Sequence, residues 1–114
     1  MITPKFPVDE QQRLAAVRSY NLLDTLPEKD FDNLTSLTAN ICDVPISLVT
    51  LLDADRNYLK SHFGITDTES PRNISFCGHA ILEKSDIFIV EDARLDPRFK
   101  DNPLVKEMNI VFYA

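Results

Sequence analysis

Cys77 and His79, two residues apart in the stretch Ser75-Phe76-Cys77-Gly78-His79-Ala80-Ile81, are the first candidates for chemistry in this chain. A thiolate beside an imidazole is a nucleophile with its base, or an attachment point for a prosthetic group. A second dense stretch, Asp92-Ala93-Arg94-Leu95-Asp96-Pro97-Arg98-Phe99, adds carboxylates, guanidinium groups and an aromatic ring, the ingredients of a pocket for a small ligand. Each residue also has a plainer use. Side chains two apart on a helix do not share a face, which argues against a thiolate-imidazole pair. A buried free cysteine usually behaves as a small apolar side chain, and His79 can tie down a loop carbonyl or carboxylate instead. Asp92 can cap the amides that follow it, and Arg98 can pair internally with Asp92 or Asp96. Phe76, Phe99, Val105 and Phe112 would line a cavity or simply form core. The candidate ligand contacts are therefore Phe76, Cys77, His79, Asp92, Arg98, Phe99 and Phe112. No residue is assigned a catalytic or metal-binding role, and turn geometry accounts for the paired carboxylates Asp53 and Asp55.

These residues must be positioned by the elements around them. Asp9, with Gln12 three positions on, can cap a first helix whose apolar stripe is Leu14, Val17 and Leu22. Pro27 suits the first position of a second helix, where Phe31, Leu34, Leu37 and Ile41 recur at helical spacing. Both helices should dock through those stripes. The run Pro45-Ile46-Ser47-Leu48-Val49-Thr50-Leu51-Leu52 is apolar on both alternating faces, which predicts a central strand covered on both sides. After a turn at Asp53-Ala54-Asp55-Arg56-Asn57, Tyr58, Lys60 and His62 alternate with Leu59, Ser61 and Phe63, the pattern of a strand paired with the first as a hairpin. Residues 64–73 read as a loop. Ser75 can cap a short third helix, Ile87-Phe88-Ile89-Val90 reads as a third strand, Asn102-Pro103 opens another short helix, and a fourth strand begins at Ile110. The order predicts an α+β domain built on an antiparallel sheet with helices on both faces.

The totals narrow the function classes. With 114 residues the chain is sized for one domain, and 44% apolar with 26% charged residues is an ordinary globular composition. No apolar stretch approaches the length needed to cross a bilayer and no signal segment opens the chain, so a cytoplasmic location with no membrane contact is expected. Eighteen acidic against twelve basic residues give a net charge of -6, which with no Lys/Arg cluster argues against a nucleic-acid partner. Cys42 and Cys77 show no metal-ligand spacing and are expected as free thiols.

Taken in order, Tyr20-Asn21-Leu22-Leu23-Asp24-Thr25, Phe31-Asp32, Pro45-Ile46-Ser47-Leu48-Val49, Asp53-Ala54-Asp55-Arg56, the two dense stretches and Phe112-Tyr113-Ala114 resemble the GAF domain family of bacterial signalling proteins. The resemblance covers residues 1–114, with residues 1–26 as a helical lead-in. It implies a fold of about six strands with a small-molecule cavity beside the sheet. This chain supplies four, so the last two strands and the closing helix are expected to be missing. An uncovered strand at residues 110–114 then implies a homodimer formed by edge pairing or exchange of elements. The function implied is a non-catalytic sensory or regulatory module that binds a small molecule or mediates dimer contacts. Its output would be a histidine kinase or a cyclic-dinucleotide enzyme such as a diguanylate cyclase. The alternative is a thiol redox enzyme of the methionine sulfoxide reductase type acting through Cys77. Such relatives use several cysteines in one cavity, and phytochrome-like relatives place cysteine and histidine side by side, whereas Gly78 separates them here. No cofactor is named by these residues.

Overall fold

A computed structural model describes residues 1–114. The elements are α1 (Glu10–Ser19), α2 (Lys29–Cys42), β1 (Ser47–Leu52), β2 (Arg56–Phe63), β3 (Glu69–Pro71), a single 3-10 turn (Arg72–Ile74), α3 (Phe76–Ala80) and α4 (Pro103–Met108). The architecture is α+β with a three-stranded antiparallel sheet in the order β1-β2-β3, compatible with a GAF-like fragment. No helix is long and apolar enough to cross a membrane.

The predicted hairpin is present. Asp53 N–H donates to the Arg56 carbonyl at 2.8 Å and closes the turn, while the Asp53 carboxylate accepts from the Ala54 amide and from Arg56 Nε. The register runs from Ser47 opposite Phe63 to Leu52 opposite Asn57, and slips between Val49, opposite Ser61, and Thr50, opposite Leu59. Lys60 is therefore the extra residue of a β-bulge. A bulge breaks the alternation expected along β2, and Lys60 and Ser61 both serve the α2 side. Lys60 Nζ reaches Glu28 Oε2 at 2.8 Å, and Ser61 Oγ meets Thr35 of α2 at 2.9 Å and Asp32 at 2.6 Å. Thr50, one residue on from Val49, points to the other face. There it meets Cys77 of α3 at 3.6 Å, so α2 and α3 lie on opposite faces of the sheet.

Several expectations are corrected. The central strand is β2, not β1; the apolar run 45–52 makes an edge strand in which only Leu52 is buried. The loop expected over residues 64–73 contains β3, whose Glu69-Ser70-Pro71 carries no strand-forming pattern and is recruited by pairing with Arg56, Asn57 and Tyr58. The third and fourth strands predicted at residues 87–90 and 110–114 do not form. They meet through one bridge, Val90 with Tyr113, whose amides and carbonyls exchange bonds of 2.8 and 3.0 Å. Irregular backbone is compatible with that packing because the residues there are fixed by an aromatic core, not by a ladder.

The helices also depart from their stripes. Asp9 makes no side-chain cap bond, and α1 buries no residue; Leu14 and Val17 are only half-buried. Helix α2 starts at Lys29, not Pro27, because the preceding loop is held extended by Lys60 on Glu28 and Leu26 and by the Tyr58 hydroxyl on the Thr25 carbonyl. Its buried residues are Thr35 and Ala39, whereas Leu34, Leu37 and Ile41 are exposed at 54%, 56% and 73%. The reason lies in the bulge: the polar Lys60 and Ser61 face α2, so the helix turns its hydroxyl and smallest side chain inward.

Two caps do follow the sequence. Ser75 Oγ accepts the Gly78 amide at 2.9 Å, and Asn102 Oδ1 accepts the Leu104 amide at 2.8 Å with Pro103 opening α4. Gly64, at φ 87°, lets the chain leave β2; a Cβ there would stand 1.9 Å from the Pro45 carbonyl oxygen. The apolar core comprises Phe76, Val90, Ala93, Phe99 and Val105, with Phe88, Leu104, Ile110 and Tyr113 packed around it.

Candidate functional site

The two dense stretches of the sequence converge. Ser75 starts α3, and helical spacing then puts Phe76 and His79 on one face, turned toward the turn that carries Phe99. The Phe76 and Phe99 rings stack with centroids 4.2 Å apart and planes 3° from parallel. His79 meets Phe99 edge-on at 4.9 Å, and Tyr113 packs on Phe76 at 5.0 Å. Arg98 lays its guanidinium over Phe88 at 5.1 Å and over Phe99 at 5.3 Å. Phe76, His79, Arg98 and Phe99 thus form one cluster.

The polar members of that cluster are satisfied from within the protein. His79 Nε2 bonds the Ile2 carbonyl at 2.8 Å, the loop-carbonyl tie weighed above. Arg98 pairs with Asp96 at 2.8 Å, and this hydrogen-bonded guanidinium holds the Asp96 carboxyl below its usual range while Asp96 raises Arg98. Asp92 is not Arg98's partner. It accepts both the backbone amide and the guanidinium of Arg94, which lowers its own pKa, so it acts as a local cap. Phe112 stands outside the cluster at 55% exposure, and Tyr113 fills the inner position beside it.

Cys77 lies on the sheet side of α3, its sulfur 3.6 Å from Thr50 Oγ1 and 3.4 Å from the Tyr113 hydroxyl. Burial pushes the Tyr113 hydroxyl above its usual range, and the neighbouring thiol adds to the shift. The imidazole of His79 is committed elsewhere, so no nucleophile-base pair forms. Cys42 is exposed. Alkylation of the folded protein should therefore modify Cys42 first and Cys77 no faster than in a denatured control. A Cys77 that reacts faster than that control near neutral pH would point to thiol chemistry.

Neither main concavity is lined by these residues. One is an open cleft around Asp55, Arg56 and Glu69. Arg56 is bonded there to Asp24, Glu69 and Asp53, which together raise its pKa. The other, about 190 Å³, lies beside Lys60, Asp32 and His62. Lys60 has three ammonium protons and three partners, Thr25 Oγ1 at 2.6 Å, the Leu26 carbonyl at 2.6 Å and Glu28 at 2.8 Å, leaving no donor for an anion. Nowhere do three His, Cys, Asp or Glu side chains converge as they would around a metal ion.

Sequence reading missed a second charge as deeply buried as Lys60. Arg72 is anchored by Glu10, with Nη2 to Oε2 at 2.9 Å, and by the Asp53 carbonyl at 3.0 Å, while Glu10 also holds Arg13. These two arginines lower the Glu10 pKa from 4.5 to about 2. Glu10 and Arg13 are neighbours at i,i+3 within α1, but no local signal brings Arg72 to them, because it lies 62 positions away.

Fold and site together define a small α+β module whose aromatic cluster is packed by its own side chains and whose buried cations Lys60 and Arg72 are paired within the chain. Its sequence is 40% identical, over 115 aligned residues covering the whole chain, to a cyclic di-GMP phosphodiesterase of Pseudomonas aeruginosa. The chain spans 19% of that protein's length. No family model matches the chain.

Proposed function

We propose that this chain is a non-catalytic regulatory module of the GAF type in a bacterial signal-transduction protein, acting in the cytoplasm on a cyclic-dinucleotide output. The observation that carries this reading is the whole-chain identity to a fifth-length stretch of a cyclic di-GMP phosphodiesterase. The site geometry supports a contact-making role. The stack of Phe76 on Phe99 leaves both rings at 4% exposure or less, filling the space a small molecule would need. Meanwhile Leu34, Leu37 and Ile41 present an apolar stripe, and β1 presents an open edge, both suited to a second copy of the chain. The module then biases its output through association.

The experiment is a graft. This chain replaces the matching stretch of the Pseudomonas phosphodiesterase, and cyclic di-GMP hydrolysis is followed for the chimera and for the chain alone. The chimera should hydrolyse the dinucleotide at a rate that differs several-fold from a version carrying an unrelated spacer of equal length. The chain alone should be inactive and dimeric by light scattering. Hydrolysis by the isolated chain, or identical rates for module and spacer, would overturn the proposal.

A further inference from the structure

The N-terminal residues 1–7 run across both dense stretches of the sequence. Ile2 donates its N–H to the Arg98 carbonyl at 3.0 Å and accepts from His79 at its own carbonyl, so one residue is pinned by both stretches. Pro4 is buried against Gly78, where an added Cβ would stand 2.6 Å from Pro4 Cγ. Gly78 weakens α3 relative to alanine and has no left-handed backbone that would require glycine. What its missing side chain allows is the approach of Pro4. Phe6 then covers the Arg72 guanidinium at 4.1 Å, and Arg72 grips Glu10, the first residue of α1.

Helix α1 buries no residue of its own. Its further hydrogen-bonded and ionic ties to the sheet side are Arg13 on the Leu52 carbonyl and Arg18 at 4.0 Å from Asp53, beside the half-buried Leu14 and Val17. We propose that residues 1–7 are a strap that couples α3 to α1, so that the seating of Ile2 and Pro4 on His79 and Gly78 sets how firmly α1 is held. A change in the aromatic cluster reaches α1 along this strap. Such coupling is reciprocal: loosening α1's end must loosen α3's.

Amide hydrogen exchange of the full chain, read by mass spectrometry, tests both directions. Gly78→Ala makes α3 intrinsically a better helix while pushing Pro4 away and crowding the Ser75 hydroxyl at 3.0 Å. It should speed exchange across Glu10–Ser19 by about tenfold, with the β1 and β2 amides unchanged. Phe6→Ala removes an exposed ring at the opposite end, a change the fold tolerates, and should speed exchange at the Gly78 amide and its neighbours. Unchanged α1 protection in Gly78→Ala, a response in one direction only, or a rise shared equally by the sheet would each overturn the proposal.

Discussion

Glu10→Ala is expected to lower the unfolding free energy by about 3 kcal/mol near neutral pH, because it leaves a buried guanidinium without its counter-charge. The Arg72 side chain is only 4% exposed, and its other acceptors are the neutral carbonyls of Asp53 and Ala54. Arg13 loses its carboxylate in the same substitution. The sign of the pH dependence follows from the direction of the shift. Glu10 is held down from 4.5 to about 2, so its contribution is complete above the unfolded value and is lost as pH falls through the folded one. Urea unfolding followed by far-ultraviolet circular dichroism should therefore show a wide gap between the parent and Glu10→Ala at neutral pH that narrows toward pH 2. A gap of constant width would mean that the carboxylate's charge is not what stabilises the site.

Phe99→Ala is expected to cost about 3–5 kcal/mol, the range for removing a buried aromatic ring and leaving a cavity. Phe99 has no exposed surface and touches the rings of Phe76, His79 and Phe88 together, so no single neighbour can collapse into the space. Phe112→Ala is the matched control. With Phe112 at 55% exposure, its truncation should change stability by no more than about 0.5 kcal/mol. Equal losses at the two positions would show that the cluster described here is not the apolar core.

What the sequence revealed depended on how local the cause was. Ser75 and Asn102 announce their helices because a cap is satisfied within three residues, and the β1-β2 hairpin announces itself through a short turn. The α2 face was misread because the bulge at Lys60 decides which side chains of β2 it must meet, and no spacing within α2 encodes that. β3 was invisible because three residues acquire strand geometry only by pairing. For the site, the convergence of Phe76, His79, Arg98 and Phe99 was legible as two clusters of residue types. The separation of Cys77 from His79 was legible too, from helix periodicity. The link from the local Glu10–Arg13 pair to Arg72 was not, since nothing in α1 encodes a partner 62 positions away.

The contrast between how α1 and the cluster are held gives the two ends of this small module different sensitivities. Acid attacks the anchor of α1, because protonating one carboxyl removes the counter-charge of two arginines. Cooling attacks the cluster, whose apolar burial loses driving force as temperature falls. An acid step to about pH 2 and a cold step should therefore detach different parts of the same 114-residue chain, the helix first in one case and the ring stack first in the other.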